Sequence, residues 1–246
     1  MGYYIMLVFH EFDKTPNPFP EIIHNIFKQK YDFDQPLHEL HTLLDTPLIS
    51  EEQKYFHKTL QDWKNDRNSV FVKNFHEYVD THPSFNTVYY KFISEYIKPL
   101  FPQETNLVVQ KTPNIRFSLP DSAAIGYDPN DPKGVVGLHC DSDFGHSEHE
   151  MNFIIPITDM FDSNSIYYET TIGSRTNSID FQNLVLTTDE FFQAYFNKLK
   201  HCNRVNTTSH TRISFDIRVI PYTKYVENLN WFRGTKFELG KYYIVL

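Results

Sequence analysis

The sequence predicts a mainly β, α+β fold: a β-rich core of the double-sheet jelly-roll type, covered on one face by N-terminal helices. Three observations carry this. Residues 20–100 repeat apolar side chains at helical spacing. After Pro102 the pattern changes to short strand-like runs separated by turn formers. A chain of 246 residues with 40% hydrophobic content is long enough to bury one substantial core. One folded unit over residues 1–246 is therefore expected, with a helical support region at 20–100, the jelly-roll core at 107–221 and an extension at 222–246.

Each element follows from its residues. Tyr3 to Phe9 is an apolar run too short to cross a bilayer and reads as a buried strand. Pro20 suits a first helical position, and Ile22, Ile23, Ile26 and Phe27 follow on one face. Ser50 and Gln53 make a capping-box pattern ahead of Phe56, Leu60 and Trp63. Val88, Tyr89, Phe92, Ile93 and Tyr96 keep the helical period until Pro99 stops it. Strands are expected at Leu107–Lys111, Asn114–Leu119, Val135–Leu138, Met151–Ile157, Ser165–Glu169 and Arg212–Ile220. Turns at Asp128–Pro132 and Gly173-Ser174 separate some of them. Helices on one side of such a core leave one end of the barrel open as a mouth.

Charge and cysteine usage narrow the function classes. A formal net charge of −8 leaves no basic footprint to neutralise phosphates, so a small molecule or another protein is a better-fitting partner than nucleic acid. No membrane span or charged leader is visible, and two cysteines make no disulfide framework, which together place the chain in the cytoplasm as an expectation.

The informative stretch is Gly137-Leu138-His139-Cys140-Asp141, a His and a carboxylate two apart at the end of an apolar run, where strand alternation would point both the same way. His201 comes later, and Arg212-Ile213-Ser214 follows it by eleven residues (212 − 201). Two imidazoles and one carboxylate form a facial triad that leaves three positions on Fe(II), enough for a bidentate 2-oxo acid and O2. His139, Asp141 and His201 are thus the candidate metal ligands. Arg212 and Ser214 share a strand face and suit the far carboxylate of 2-oxoglutarate, by a forked ion pair and a hydroxyl. Asn152 is a candidate contact to the co-substrate or a bound water, the alternative being a structural amide. Arg218 shares parity with Arg212 and is the runner-up for the carboxylate. Arg116 and Ser118 lie on one strand face, as substrate contacts or part of a surface or barrel-end ion pair, and His146 either approaches the site from its loop or is a solvated loop residue.

These residues carry a resemblance. His139-x-Asp141, a distal His201 and Arg212-x-Ser214 resemble the pattern of the jelly-roll, or double-stranded β-helix, Fe(II)/2-oxoglutarate-dependent dioxygenases. The fuller runs His139–His146, Glu150-Met151-Asn152-Phe153 and Thr211–Asp216 are similar to the group typified by a streptomycin-biosynthesis dioxygenase. The resemblance covers roughly residues 110–221 and departs from the group at Cys202, where Gly is expected. It implies Fe(II) as cofactor, 2-oxoglutarate and O2 as co-substrates, release of succinate and CO2, and hydroxylation of a small polar metabolite as the default outcome. Desaturation, epimerisation and ring closure share the same residues.

Other readings compete with it. A zinc site using Cys140 and Cys202 is disfavoured because alternation turns each thiol away from its neighbouring His. A cupin-type metalloprotein that uses no 2-oxoglutarate, and a non-enzymatic metal-binding jelly roll, stand as alternatives.

Overall fold

The computed structural model describes residues 7–58, 69–121, 138–170 and 181–246. In chain order it has β1 (Val8–Glu11), α1 (Phe19–Tyr31), α2 (Glu51–Lys58), α3 (Val70–Thr81), α4 (Pro83–Phe92), β2 (Leu107–Gln110), β3 (Asn114–Ser118), β4 (Met151–Pro156), β5 (Ile166–Glu169), β6 (Phe181–Asn183), β7 (Glu190–Ala194), β8 (His201–Asn203), β9 (Arg212–Pro221), α5 (Tyr222–Glu227), α6 (Leu229–Phe232) and β10 (Tyr243–Val245).

The helices form where local chemistry permits. Pro20 sits in the first turn of α1, whose buried face is Phe19, Ile23, Ile26 and Phe27. Ser69 caps α3, its Oγ accepting from the Phe71 N–H. The Ser50–Gln53 box is half formed. The Gln53 N–H donates to Ser50 Oγ at 3.3 Å, but the Gln53 side-chain oxygen accepts from the Val70 N–H and so ties α2 to the start of α3. α4 continues through a widened turn at Ile93–Ile97 and ends in the tight turn Lys98–Leu100 that contains Pro99.

The sheets are antiparallel throughout. A seven-stranded sheet runs β1-β7-β4-β9-β2-β10, with β3 also on β9, and a three-stranded sheet runs β6-β5-β8. β9 organises the larger one. It pairs β4 along one edge, while its first half pairs β3 and its end pairs β2 on the other. Alternation along β9 then separates two environments. Ile213, Phe215, Ile217 and Val219 face the helices, where Phe215 meets the rings of Phe19, Phe75 and Phe85. Arg212, Ser214, Asp216 and Arg218 take the opposite face. A second apolar cluster, including Ile154, Phe192, Ala194, Ile166 and Tyr168, draws on strands of both sheets. The expected helical cover on one sheet face is observed.

Several expectations are corrected. β1 is an edge strand on β7 alone, and Phe9 is 49% exposed, so this segment is not a buried strand; residues 3–6 lie outside the described residues. Leu60, Trp63, the strand positions 135–137, the turn 128–132 and Gly173-Ser174 also lie outside them. No helix among the described residues is long and apolar enough to cross a membrane.

Candidate metal centre

His139 and His201 meet because their backbones pair across the gap between segments. The His201 N–H donates to the His139 carbonyl at 2.9 Å, and the His139 N–H to the His201 carbonyl at 3.2 Å. Asp141 reaches the same point by a different route from the one alternation suggests. It opens a short 3₁₀ turn, Asp141–Phe144, rather than ending a strand. The turn is closed at both ends: Asp143 Oδ2 accepts from the Cys140 N–H at 2.8 Å, and Gly145 adopts φ +78°, a conformation that disfavours any side chain. The Asp141 N–H is anchored to the Phe196 carbonyl at 2.7 Å.

Potential ligand atoms of His139, Asp141 and His201 lie within 4.8 Å of one another, and this is the only such cluster among the described residues; neither cysteine is in it. Both imidazole Nε2 atoms stand 3.7 Å from the same oxygen, Asp141 Oδ1. Ligand atoms about 2.1 Å from a shared ion and at right angles to each other are roughly 3 Å apart, so each imidazole has to approach the carboxylate oxygen by under about 1 Å. His201 Nδ1 sits 3.1 Å from the Leu199 carbonyl, which fixes its proton on Nδ1 and leaves the Nε2 lone pair for a metal. The Phe196 ring stacks on this imidazole at 4.2 Å. Burial lowers the His201 pKa to about 4, so the ring is neutral at pH 7. Burial alone would raise the Asp141 pKa, but the Arg218 guanidinium beside it outweighs this and holds the carboxyl well below its usual range. The His139 side chain is 27% exposed against 5% for Asp141, so the triad opens to solvent on the His139 side.

Behind Asp141 is a buried ionic cluster. Asp141 Oδ2 accepts from Arg218 Nη2 at 3.0 Å, from Arg218 Nε at 3.3 Å and from Asn152 Nδ2 at 2.9 Å. Arg218 also lies 2.9 Å from Glu150 Oε1 and 3.1 Å from Asp216 Oδ2. The formal charge of these three carboxylates and one guanidinium is −2, which one divalent cation offsets. The donor set therefore fits a divalent ion.

The two arginines of β9 differ sharply. Although burial opposes its charge, the acidic groups around Arg218 hold its pKa well above the ordinary value. Arg212, 3% exposed, has neutral partners: Nη1 donates to Ser214 Oγ and Nη2 to Asn203 Oδ1, both at 2.9 Å, and its buried Nε has no partner among the described residues. Burial, then the neighbouring Arg116 charge, lower its pKa to about 10, still cationic at neutral pH. Asn203 is two residues beyond His201 on β8, about 7 Å along the strand, which sets the Arg212 guanidinium near the triad.

Of the residues singled out from sequence, the structure brings His139, Asp141 and His201 together and joins Arg212 to Ser214. The amide nitrogen of Asn152 bridges Asp141 and Asp216, which leaves only Oδ1 for any co-substrate contact. The Arg218 guanidinium, the other candidate for the carboxylate, is already paired with Asp141, Glu150 and Asp216. Arg116 stands directly across from Ser214, and Ser118 across from Arg212. His146 is tucked against Glu150 and the Phe237 ring rather than solvated. Glu150, Asp216 and Asn203 were not assigned roles from sequence, although Asp216 shares parity with Arg212 and Arg218, and Asn203 with His201.

No protein-family profile matches the chain. The streptomycin biosynthesis protein StrG of Streptomyces griseus is 24% identical over 183 residues, covering 73% of this chain and 78% of that one. This matches the resemblance read from the motifs. Among solved structures, the apo form of the non-heme monooxygenase ThoJ aligns over 80% of this chain and 70% of its own, with 15% identity and a TM-score of 0.39. Apo HygX from Streptomyces hygroscopicus aligns over 70% and 87%, with 10% identity and a TM-score of 0.37.

Proposed function

We propose that the chain is a non-haem Fe(II)/2-oxoglutarate-dependent dioxygenase, a single jelly-roll unit in which His139, Asp141 and His201 hold iron and Arg212 with Ser214 grips the co-substrate. The observation that carries this is the contrast between the arginines. A buried guanidinium with only neutral partners is costly unless an anion completes it. Arg212 has that unmet need beside a facial triad, whereas Arg218 does not.

Each residue then has a distinct role. His201, with its proton held on Nδ1, offers Nε2, and His139 offers the exposed side of the triad. Asp141 contributes one oxygen while its other is occupied by Arg218 and Asn152, which keeps three positions free. Arg212 Nε and the Ser214 hydroxyl bind and orient the far carboxylate of 2-oxoglutarate, fixing which end of the molecule faces the triad. Bound iron supplies the redox chemistry that couples oxidative decarboxylation of 2-oxoglutarate to oxidation of the substrate. Hydroxylation is the reaction assigned by default, and a small polar metabolite is the substrate class, on the resemblance to the streptomycin-pathway protein and the acidic net charge.

Anaerobic Fe(II) titration tests the ligand assignment. One ion per chain is expected, with binding sharply weakened in His139→Ala, Asp141→Ala and His201→Ala. Wild-type affinity in all three variants would remove the basis for the reading.

A further inference from the structure

We propose that the C-terminal segment sets the geometry of the metal carboxylate, with Tyr242 and Tyr243 acting through Arg218 and Glu150 as positioning residues for Asp141. The inference rests on the metal reading above and extends it to a part of the chain that carries none of the motif. Tyr242 Oη accepts from Arg218 Nη1 at 3.1 Å, and the Tyr243 hydroxyl donates to Glu150 Oε2. Arg218 in turn donates to Asp141 Oδ2.

The tyrosines are held where they are by packing. Tyr243 lies in an apolar cluster with Val108, Ile220, Tyr225, Phe232 and Phe237, and Tyr242 packs against it. Tyr243 is also fixed in register opposite Gln110 by the β10–β2 pairing. A buried tyrosine hydroxyl needs a partner, and both of these are directed at the ionic cluster. The chain of contacts has a chemical consequence. With Oδ2 saturated by three N–H groups, Asp141 presents Oδ1 alone to the point shared by His139 and His201. If Oδ2 were released, the carboxylate could chelate in a bidentate manner and fill one of the three positions that the co-substrates need.

Co(II) is a suitable probe, because its visible absorption reports coordination number without any turnover. The full chain would be compared as wild type, Arg218→Lys, Tyr242→Phe, Tyr243→Phe and, as a control, Tyr90→Phe, whose hydroxyl bonds the Lys111 carbonyl instead. Loss of a group that orients a metal ligand typically costs about 10–100-fold in metal affinity. Arg218→Lys should fall within that range, the two C-terminal variants near its lower end, and all three should alter the Co(II) spectrum while Tyr90→Phe alters neither. Wild-type affinity and spectrum in Tyr242→Phe and Tyr243→Phe would overturn the proposal, as would a lower melting temperature with an unchanged spectrum. If Arg218→Lys does not fold, the two tyrosine variants, each lacking one hydroxyl, decide the matter. A wild-type chain that bound no Co(II) would overturn the metal reading itself, and this inference with it.

Discussion

Replacing Arg212 with Met separates binding from folding. In the wild type the guanidinium is 3% exposed and paired with two neutral oxygens, so an incoming carboxylate would complete a buried ion pair. Removing one member of such a pair costs about 3–5 kcal/mol, or roughly two to three and a half orders of magnitude in 2-oxoglutarate affinity. The ligand-free protein should hardly notice. Depression of the Arg212 pKa from 12.5 to about 10, by burial and then by the Arg116 charge, corresponds to roughly 3 kcal/mol against the charged form. The hydrogen bonds to Ser214 and Asn203 return a similar amount, at about 1.5–3 kcal/mol each. Met of comparable length therefore leaves the melting temperature within a few degrees. Calorimetric titration of 2-oxoglutarate into the Ni(II)-loaded protein gives the affinity. Thermal unfolding gives an independent reading, since ligand at about 100 times Kd adds roughly 2.7 kcal/mol, or about 5–11 °C, to the wild type. The Met variant should bind metal normally and show no such shift. Wild-type 2-oxoglutarate affinity in Arg212→Met would refute the role assigned to the unmet cation.

Three further outcomes follow from the same geometry. In metal-free protein, His201 titrates near 4 when folded and near 6.5 when unfolded, so the unfolded chain binds more protons between those values. Stability should consequently be full above pH 6.5 and decline by about 3 kcal/mol on acidification to pH 4, with a shallower decline in His201→Gln; equal slopes in urea unfolding would contradict this. Phe215→Ala, at a fully buried ring joining β9 to α1, α3 and α4, should cost about 3–5 kcal/mol without moving the metal affinity. Asn152→Ala should weaken metal binding by about 10–100-fold, because Asp141 loses a partner on Oδ2 and the buried Asp216 loses one as well. Metal titration checks both of these variants.

The periodic parts of the fold were legible in the sequence because packing followed local preference. The α1 face around Ile23 and Phe27 reflects burial on one side, and the alternation of β9 sets an apolar face against the helices opposite a polar one; a pattern reports both directly. Strands β6, β7, β8 and β10 were not read as elements. Three of them are only three residues long, and the partners of β8 and β10, such as Tyr243 opposite Gln110, lie far away in the chain. The triad was legible as residue types and spacing, but not as geometry: Asp141 converges on the histidines through a 3₁₀ turn closed by Gly145, where alternation along a strand had suggested the same result for a different reason. The cluster behind it was illegible for a plain cause. Asp141 and Arg218 are 77 positions apart and Glu150 and Tyr243 are 93, separations at which no local pattern carries information.

Metal-dependent oxidation by this chain should consume 2-oxoglutarate, and succinate is its most direct witness. Purified protein with Fe(II), 2-oxoglutarate and O2 would be incubated with a panel of small polar metabolites, and succinate measured alongside any modified product. Succinate and product should form in equal amounts, require O2, and vanish in Asp141→Ala and Arg212→Met. Iron-dependent conversion of a metabolite without 2-oxoglutarate, and without succinate, would contradict the dioxygenase reading and favour a cupin-type metalloprotein.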